Sequence, residues 1–162
     1  FVDEILRENG VRSAVISLGG NVQTLGSKPD GTKWKIAIRD PENPSGYLGI
    51  VTTEEKAVIT SGAYERFFEE DGINYHHILN PSTGYPAESG IISSTVICSD
   101  GTLADGLSTA LYVIGLEKSS DLWKNSDVEF DFILMTSDKH VYITENIKND
   151  FISDYSYSII SK

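Results

Sequence analysis

Residues 93–115, SSTVICSDGTLADGLSTALYVIG, contain the transition from strand to helix that decides the fold. The β-branched run 93–98 predicts a strand. The segment that follows has apolar residues on one face at helical spacing: Leu103, Leu107, Ala110, Leu111 and Ile114. We therefore predict a helix of about three turns after the strand. Its candidate caps are Ser99, Asp100 or Thr102 at the start and Gly115 at the end.

Short runs rich in β-branched and aromatic residues, bounded by Gly, Pro, Asn and Asp, predict further strands. These runs are 13–18, 34–38, 47–52, 56–60, 64–68, 73–78, 130–136 and 139–144. We expect hairpin turns at Asp71-Gly72 and Ser137-Asp138, and a weaker helix at 116–125. Grouped strands with helices at either side favour an α+β fold, a mainly antiparallel sheet with flanking helices, over a doubly wound one.

Composition sets limits on the function. The chain has 162 residues, 40% of them hydrophobic, so one domain with a sizeable core is expected. Twenty-four acidic and thirteen basic residues give a net charge of −11, which disfavours binding to nucleic acid. The one cysteine, Cys98, excludes an intrachain disulfide and a thiolate metal cluster. No apolar stretch is long enough to cross a bilayer.

The first residues have the pattern of a helix that has already begun. Phe1, Val2, Ile5 and Leu6 form an apolar stripe, and Asn9-Gly10 is a helix C-cap signal. We therefore expect residues 1–162 to be a single domain or a C-terminal fragment of a longer protein.

Asp105 and Thr109 are the first candidate site. Four residues apart on the predicted helix, they project from the same face. A carboxylate and a hydroxyl are hard oxygen ligands of the kind Mg²⁺ prefers, and Mg²⁺ often takes only one or two protein ligands. The alternative is structural: Asp105 complements the helix dipole and Thr109 bonds a backbone carbonyl.

The second candidate is the block HHILNPSTG at 76–84, where a predicted strand runs into a turn. This position presents His77 at a sheet edge, where an imidazole can act as acid or base, and its loop amides can face phosphate. Alternatively, His76 and His77 are ordinary strand residues and the loop is an ordinary turn. Adjacent strand residues point to opposite faces, so the two histidines are not expected to chelate one ion together.

The third candidate is the block TSGAYER at 60–66, with hydroxyls and a glycine before an aromatic ring and a guanidinium. Arg66 can hold a carboxylate or phosphate in two-pronged fashion. An ordinary surface ion pair is the alternative. Gly19-Gly20-Asn21 lacks the lysine of a P-loop and the spacing of a dinucleotide fingerprint.

In their order and residue content, these blocks resemble the ApbE family of FAD:protein FMN transferases. The matching stretches are GGN at 19–21, TSGAYER at 60–66, HILNPSTGYP at 77–86 and ADGLSTA at 104–110. The resemblance covers roughly residues 11–115. Asn80 and Ser82 differ from the commoner Asp and basic residue of the family.

The resemblance implies a C-terminal part of an ApbE-like fold and a set of functional residues. Asp105 and Thr109 correspond to the side-chain ligands of Mg²⁺, and His77 to the functionally important histidine of its block. Residues implied to contribute to the flavin site are Ser61, Gly62, Tyr64, His77, Ile78, Leu79, Thr83 and Gly84. A further glycine- and lysine-containing segment of the family precedes the helix in which this chain starts and is expected to complete the site.

The family reaction transfers FMN from FAD to a Thr or Ser hydroxyl of a target flavoprotein and releases AMP. The resemblance therefore implies FAD as substrate, Mg²⁺ as cofactor and a flavoprotein as acceptor. It also implies an extracytoplasmic, often lipid-anchored protein, with the anchor in the missing N-terminus. Two alternatives stay open: a FAD pyrophosphatase that gives FMN and AMP, and a non-catalytic flavin-binding module.

Overall fold

The computed structural model describes residues 2–65, 67–70 and 72–162, and within them the chain forms two α-helices and twelve β-strands. The helices are α1 (Val2–Glu8) and α2 (Gly101–Asn125). The strands are β1 (Ala14–Leu18), β2 (Asn21–Leu25), β3 (Trp34–Arg39), β4 (Tyr47–Thr53), β5 (Ala57–Gly62), β6 (Phe67–Glu70), β7 (Ile73–His76), β8 (Ile91–Cys98), β9 (Phe130–Thr136), β10 (Val141–Thr144), β11 (Phe151–Ile152) and β12 (Tyr157–Ile160). Single 3₁₀ turns occupy Ala63–Glu65 and Glu145–Ile147.

The strands form three sheets. The central sheet has seven strands in the order β1-β2-β5-β8-β9-β10-β12, a second sheet has the order β11-β4-β3, and β6 and β7 form a separate hairpin. Every pairing is antiparallel except that of β10 with β12. The prediction of an α+β fold with a mainly antiparallel sheet is thus confirmed.

Helix and strand layers cover opposite faces of the central sheet. On one face, Val96, Phe132 and Leu134 belong to the buried cluster that includes Leu111 and Trp123 of α2. On the other face, alternate residues of the same strands pack against β3, β4 and β11. The central strands therefore bury both faces, and every residue of 93–98 is buried, including the polar residues Ser93, Ser94 and Thr95.

The strand-to-helix segment 93–115 folds largely as predicted. Of the three candidate caps, Asp100 is the N-cap: its Oδ1 accepts hydrogen bonds from the amides of Thr102 at 2.8 Å and Leu103 at 3.1 Å. Gly115, with φ of 81°, interrupts the helix, which resumes and continues to Asn125. The weaker helix at 116–125 is therefore confirmed, as a continuation of α2 beyond a kink.

One strand prediction is wrong. The run 64–68 is a 3₁₀ turn at Ala63–Glu65 followed by β6, which begins at Phe67. Gly62 explains the turn, because a Cβ at this position would collide with the ring of Tyr64. The glycine lets the Tyr64 ring fold back over the end of β5, which takes the chain out of the sheet. Phe1, Arg66 and Asp71, which figured in the sequence predictions, lie outside the described residues.

The first helix ends where the sequence predicts. Gly10 adopts φ of 82°, and the amide of Val11 bonds the carbonyl of Leu6 at 2.9 Å. The predicted apolar stripe on this helix is not buried: Val2 is 43% and Ile5 53% exposed. No residue of α1 belongs to the described core.

Candidate functional site

Asp105 and Thr109 lie on the exposed face of α2, one turn apart. Both interpretations of this pair agree with the structure, which contains the Thr109 contact to a backbone carbonyl as well as the exposed position of both side chains. Asp100 already caps the helix, so capping does not require Asp105. The hydroxyl of Thr109 lies 3.5 Å from the carbonyl oxygen of Asp105, a weak contact that leaves the hydroxyl oxygen available for other partners. The positions therefore agree with a site on the helix surface.

Two polar side chains from the central sheet contact the pair. The Nδ2 of Asn21 donates to Oδ1 of Asp105 at 3.1 Å. The hydroxyl of Ser61 lies 3.0 Å from that of Thr109 and 2.8 Å from that of Ser108. Ser61, a predicted site residue, is thus next to Thr109. Sequence reasoning assigned no individual role to Asn21 or Ser108, because contacts across 84 and 47 residues have no local signal.

A cavity of about 750 Å³ opens beside this pair. Its walls come from α1, the β1–β2 hairpin, β5 and the first turns of α2, and both Asn21 and Asp105 line it. Asp3, Glu4 and Asp100 also line the cavity, so its wall carries negative charge. An anionic ligand could enter such a space only together with a cation.

The two neighbouring histidines have different environments, as the alternation of strand residues predicts. His76, at the end of β7, packs edge-on against Tyr112 of α2, with ring centroids 5.9 Å apart. Burial lowers the pKa of His76 from its ordinary value of 6.5. His77 is exposed. Since Tyr112 follows Thr109 by one turn, it is His76, and not His77, that packs against the helix near Thr109.

A second cavity of about 340 Å³ lies beside His77. Its walls are aromatic, formed by Phe67, Phe68 and Tyr75 together with the two histidines. The rings of Phe68 and Tyr75 stack at 5.2 Å, although Phe68 remains 61% exposed. The histidine therefore borders a space that suits a planar or apolar group.

The turn after His77 does not present its amides as expected. The amides of Thr83 and Gly84 both bond the carbonyl of Asn80, at 3.2 and 2.8 Å. The amide of Ser82 bonds the side chain of Asn80, and that of Tyr85 bonds the hydroxyl of Thr83. The expectation that free amides of this loop face phosphate is therefore wrong, because the turn satisfies them internally.

The side chains that follow His77 differ in how far they are buried. Ile78 is 4% exposed and belongs to the core under α2, so its side chain is not available to a ligand. Leu79 is 51% exposed and forms an isolated β-bridge with Pro86. Thr83 and Gly84 lie on the exposed turn, where Gly84 adopts φ of 74°.

Gly62 and Tyr64 lie across the sheet from Asp105 and Thr109. Ser61 points to the face of the sheet that α2 covers. Because strand residues alternate, a Cβ on the next residue, Gly62, would point to the opposite face, where the Tyr64 ring lies. The guanidinium of Arg39 lies 5.8 Å from the centre of this ring. Of the block at 60–66, the structure thus brings Ser61, and not Tyr64, to Thr109.

The donor set fits Mg²⁺ as part of a site. Among the described residues there is no cluster of three His, Cys, Asp or Glu side chains that could hold a metal ion. Asp105 and Thr109 together offer one carboxylate and one hydroxyl. Two hard oxygens suffice for a cation that completes its shell with water and phosphate.

These features define a class: an α+β protein with a carboxylate–hydroxyl pair of the type that binds a divalent cation, beside an open cavity. The sequence model of the ApbE family matches residues 2–134, and the chain belongs to the ApbE family. The resemblance noted from the sequence is thereby confirmed.

Curated relatives are named FAD:protein FMN transferase. The Treponema pallidum protein is 37% identical over 156 residues, covering 89% of this chain and 42% of that protein. The Klebsiella pneumoniae protein is 35% identical over 161 residues, covering 98% of this chain and 49% of that protein. The chain thus spans less than half the length of these two relatives.

Solved structures share the fold. The ApbE protein of Thermotoga maritima superimposes with a TM-score of 0.82 at 34% identity, covering 91% of this chain and 48% of that chain. The flavin transferase ApbE of Vibrio cholerae gives a TM-score of 0.75 at 30% identity, with 92% and 48% covered. In the part of the chain that the structure describes, neither helix has the length and hydropathy needed to cross a membrane.

Proposed function

We propose that this chain carries the metal-binding part of a FAD:protein FMN transferase. The reaction transfers FMN from FAD to a Thr or Ser hydroxyl of a target flavoprotein and releases AMP. One observation carries the proposal: Asp105 lines a cavity, Thr109 is exposed one turn further along the same helix, and each is contacted by a polar side chain from the sheet. Membership of the ApbE family and relatives named FAD:protein FMN transferase support FAD as the substrate.

Asp105 and Thr109 are the residues that would hold Mg²⁺. When bound, the ion neutralises the charge of the diphosphate and of the transition state. The cavity wall gives a reason for this requirement, because carboxylates there repel the diphosphate of FAD in the absence of a cation. By holding the ion, Asp105 and Thr109 would determine where along α2 the diphosphate binds.

His77 is proposed to act on the acceptor. The acceptor oxygen forms a bond to the FMN-side phosphorus while the bond from that phosphorus to the AMP oxygen breaks. The acceptor hydroxyl loses its proton in this step. AMP is the leaving group and keeps the bridging oxygen of the diphosphate. An exposed imidazole beside an open cavity can accept this proton or orient the phosphate.

Substitution of Asp105 tests the metal assignment. We expect Asp105→Ala to lower the Mg²⁺-dependent rate of FMN transfer by roughly 100-fold or more, because metal stabilisation of phosphoryl transfer contributes several kcal/mol. The measurement is mass spectrometry of the acceptor after incubation with FAD and MgCl₂. Asp121→Ala is the control, since Asp121 is exposed on the same helix away from the cavity. An unchanged rate in Asp105→Ala would contradict the assignment.

Substitution of His77 tests the proton-transfer role. We expect His77→Ala to reduce the transfer rate by roughly 10²-fold to 10⁴-fold, because it removes the group that accepts the proton of the acceptor hydroxyl. His140→Ala is the control, because His140 is at the far side of the central sheet and bonds Ser158. A rate that stays at the wild-type value across pH would remove His77 from the mechanism.

The same assays distinguish the alternatives. Release of FMN and AMP without any modified acceptor would make the protein a FAD pyrophosphatase, with water in place of the hydroxyl. Intact FAD after incubation with MgCl₂ would make it a non-catalytic flavin-binding module. An extracytoplasmic, membrane-associated location is a further part of the proposal, which rests on family resemblance and is tested by cell fractionation.

A further inference from the structure

Asn21 makes the direct polar contact to Asp105 from outside α2. The bond from Nδ2 to Oδ1 is 3.1 Å long and joins the start of β2 to the second turn of the helix. Both side chains line the same cavity. The contact therefore links the sheet to the proposed metal ligand at the wall where a ligand would enter.

The backbone holds Asn21 in a fixed place. It follows Gly19 and Gly20 directly, which adopt φ of 61° and 96° in the two-residue turn of the β1–β2 hairpin. Asn21 pairs with Leu18 across this turn, and β2 pairs on its other side with β5. The amide thus reaches Asp105 from a strand that is paired on both sides.

The contact orients the carboxylate without neutralising it. A carboxylate has two oxygens, and Asn21 occupies one, so Oδ2 is left for another partner. In the described part of the chain, no lysine or arginine forms an ion pair with Asp105. An amide donor adds no charge, so the carboxylate keeps its attraction for a cation, whereas a lysine in its place would compete with that cation.

We propose that Asn21 is a positioning residue of the metal site: its amide fixes the rotamer of Asp105 so that the free carboxylate oxygen is directed to a divalent cation in the cavity. This inference deepens the proposed function and rests on it. Hydrogen-bond partners of metal ligands typically change metal affinity by roughly 10-fold to 100-fold when they are removed.

The test measures binding of MnCl₂ alone by isothermal titration calorimetry, so it needs neither FAD nor turnover. We expect Asn21→Leu, which keeps the branching at Cγ and removes the donor, to weaken Mn²⁺ binding about tenfold. Asn21→Gln, which keeps an amide donor, should bind more tightly than Asn21→Leu. The melting temperature should stay close to the wild-type value, because an exposed hydrogen bond contributes little to folding. Asn21→Ala replaces Asn21→Leu if the larger side chain prevents folding.

Gln23→Ala is the matched control. Gln23 lies two residues along the same strand and lines the same cavity, but its amide bonds the carbonyl of Thr24. Wild-type affinity in both Asn21→Leu and Asn21→Ala, or an equal loss in Gln23→Ala, would overturn the inference. Asp105→Ala separates the two proposals: if it leaves Mn²⁺ binding unchanged, the metal assignment itself fails. If only Asp105→Ala abolishes binding, the assignment stands and the role of Asn21 fails.

Discussion

His76 and His77 are adjacent in the sequence but lie in different environments. The ring of His76 packs against Tyr112, whereas His77 is exposed beside the aromatic cavity. The alternation of strand residues predicts that they differ. It does not predict which of them meets α2, because that depends on how the β6–β7 hairpin lies against the helix.

Burial of His76 predicts a dependence of stability on pH. The folded state lowers the pKa of His76 below 6.5, so the unfolded chain binds more protons as the pH falls through that value. The free energy of unfolding should therefore decrease on going from pH 7.5 to about 5.5. Urea unfolding at the two pH values measures the decrease. His76→Phe, which keeps a ring beside Tyr112 and removes the titration, should show a smaller one.

His140→Phe is the comparison for this experiment. This variant removes a histidine whose Nε2 bonds Ser158 near the edge of the central sheet. We expect it to retain most of the wild-type change with pH. An identical change in His76→Phe and the wild type would contradict the role assigned to burial of His76.

At the scale of elements, α2 positions the site. Its N-cap fixes where the helix begins, and the helical repeat then places Asp105 at the cavity and Thr109 on the exposed side of the helix instead of in the core. Ala104, Ser108 and Leu111 occupy the buried face of the same turns. The helical periodicity of the sequence predicts this division, which is why the candidate pair could be found without a structure.

Two glycines of α2 should respond to alanine in opposite ways. Gly106 has helical geometry, and a methyl group added there would meet no atom within 4 Å, so Gly106→Ala should raise the free energy of unfolding by about 1 kcal/mol. Gly115 has φ of 81°, and a Cβ there would lie 3.2 Å from the carbonyl oxygen of Ser89. Gly115→Ala should therefore lower the free energy of unfolding by about 1–3 kcal/mol.

Urea denaturation of the two variants measures both values. The pair is its own control, because each variant adds one methyl group to the same helix. Equal effects of the two substitutions would contradict the account of the kink at Gly115.

At the scale of the whole molecule, the central sheet brings distant blocks together. Strands β2 and β5 are neighbours, so Asn21 and Ser61 reach α2 side by side, although they are far apart in the sequence. The segment that forms β2 carries no clear strand pattern, and the tail that contains β11 and β12 is equally ambiguous. The pairings of β2 with β5 and of β11 with β4 join segments far apart in the chain, and local propensity does not report such partners.

The net charge of −11 predicts behaviour of the molecule as a whole. We expect no binding to a DNA duplex in a gel-shift assay at about 0.1 M salt, because an acidic surface repels the phosphate backbone. Addition of MgCl₂ should not create binding, since the acidic residues far outnumber the one proposed metal site. A saturable shift at micromolar protein would contradict this prediction.

The sequence by itself determined the α+β class, the strand-to-helix segment at 93–115 and the order of blocks that marks the ApbE family. It also placed Asp105 and Thr109 on one face of a helix, because helical spacing is local. Only the tertiary structure decided that Asn21 and Ser61 contact this pair, that Tyr64 lies on the opposite face of the sheet, and that the amides after His77 are satisfied. Sheet order and turn hydrogen bonding set these contacts, and both depend on the folded chain.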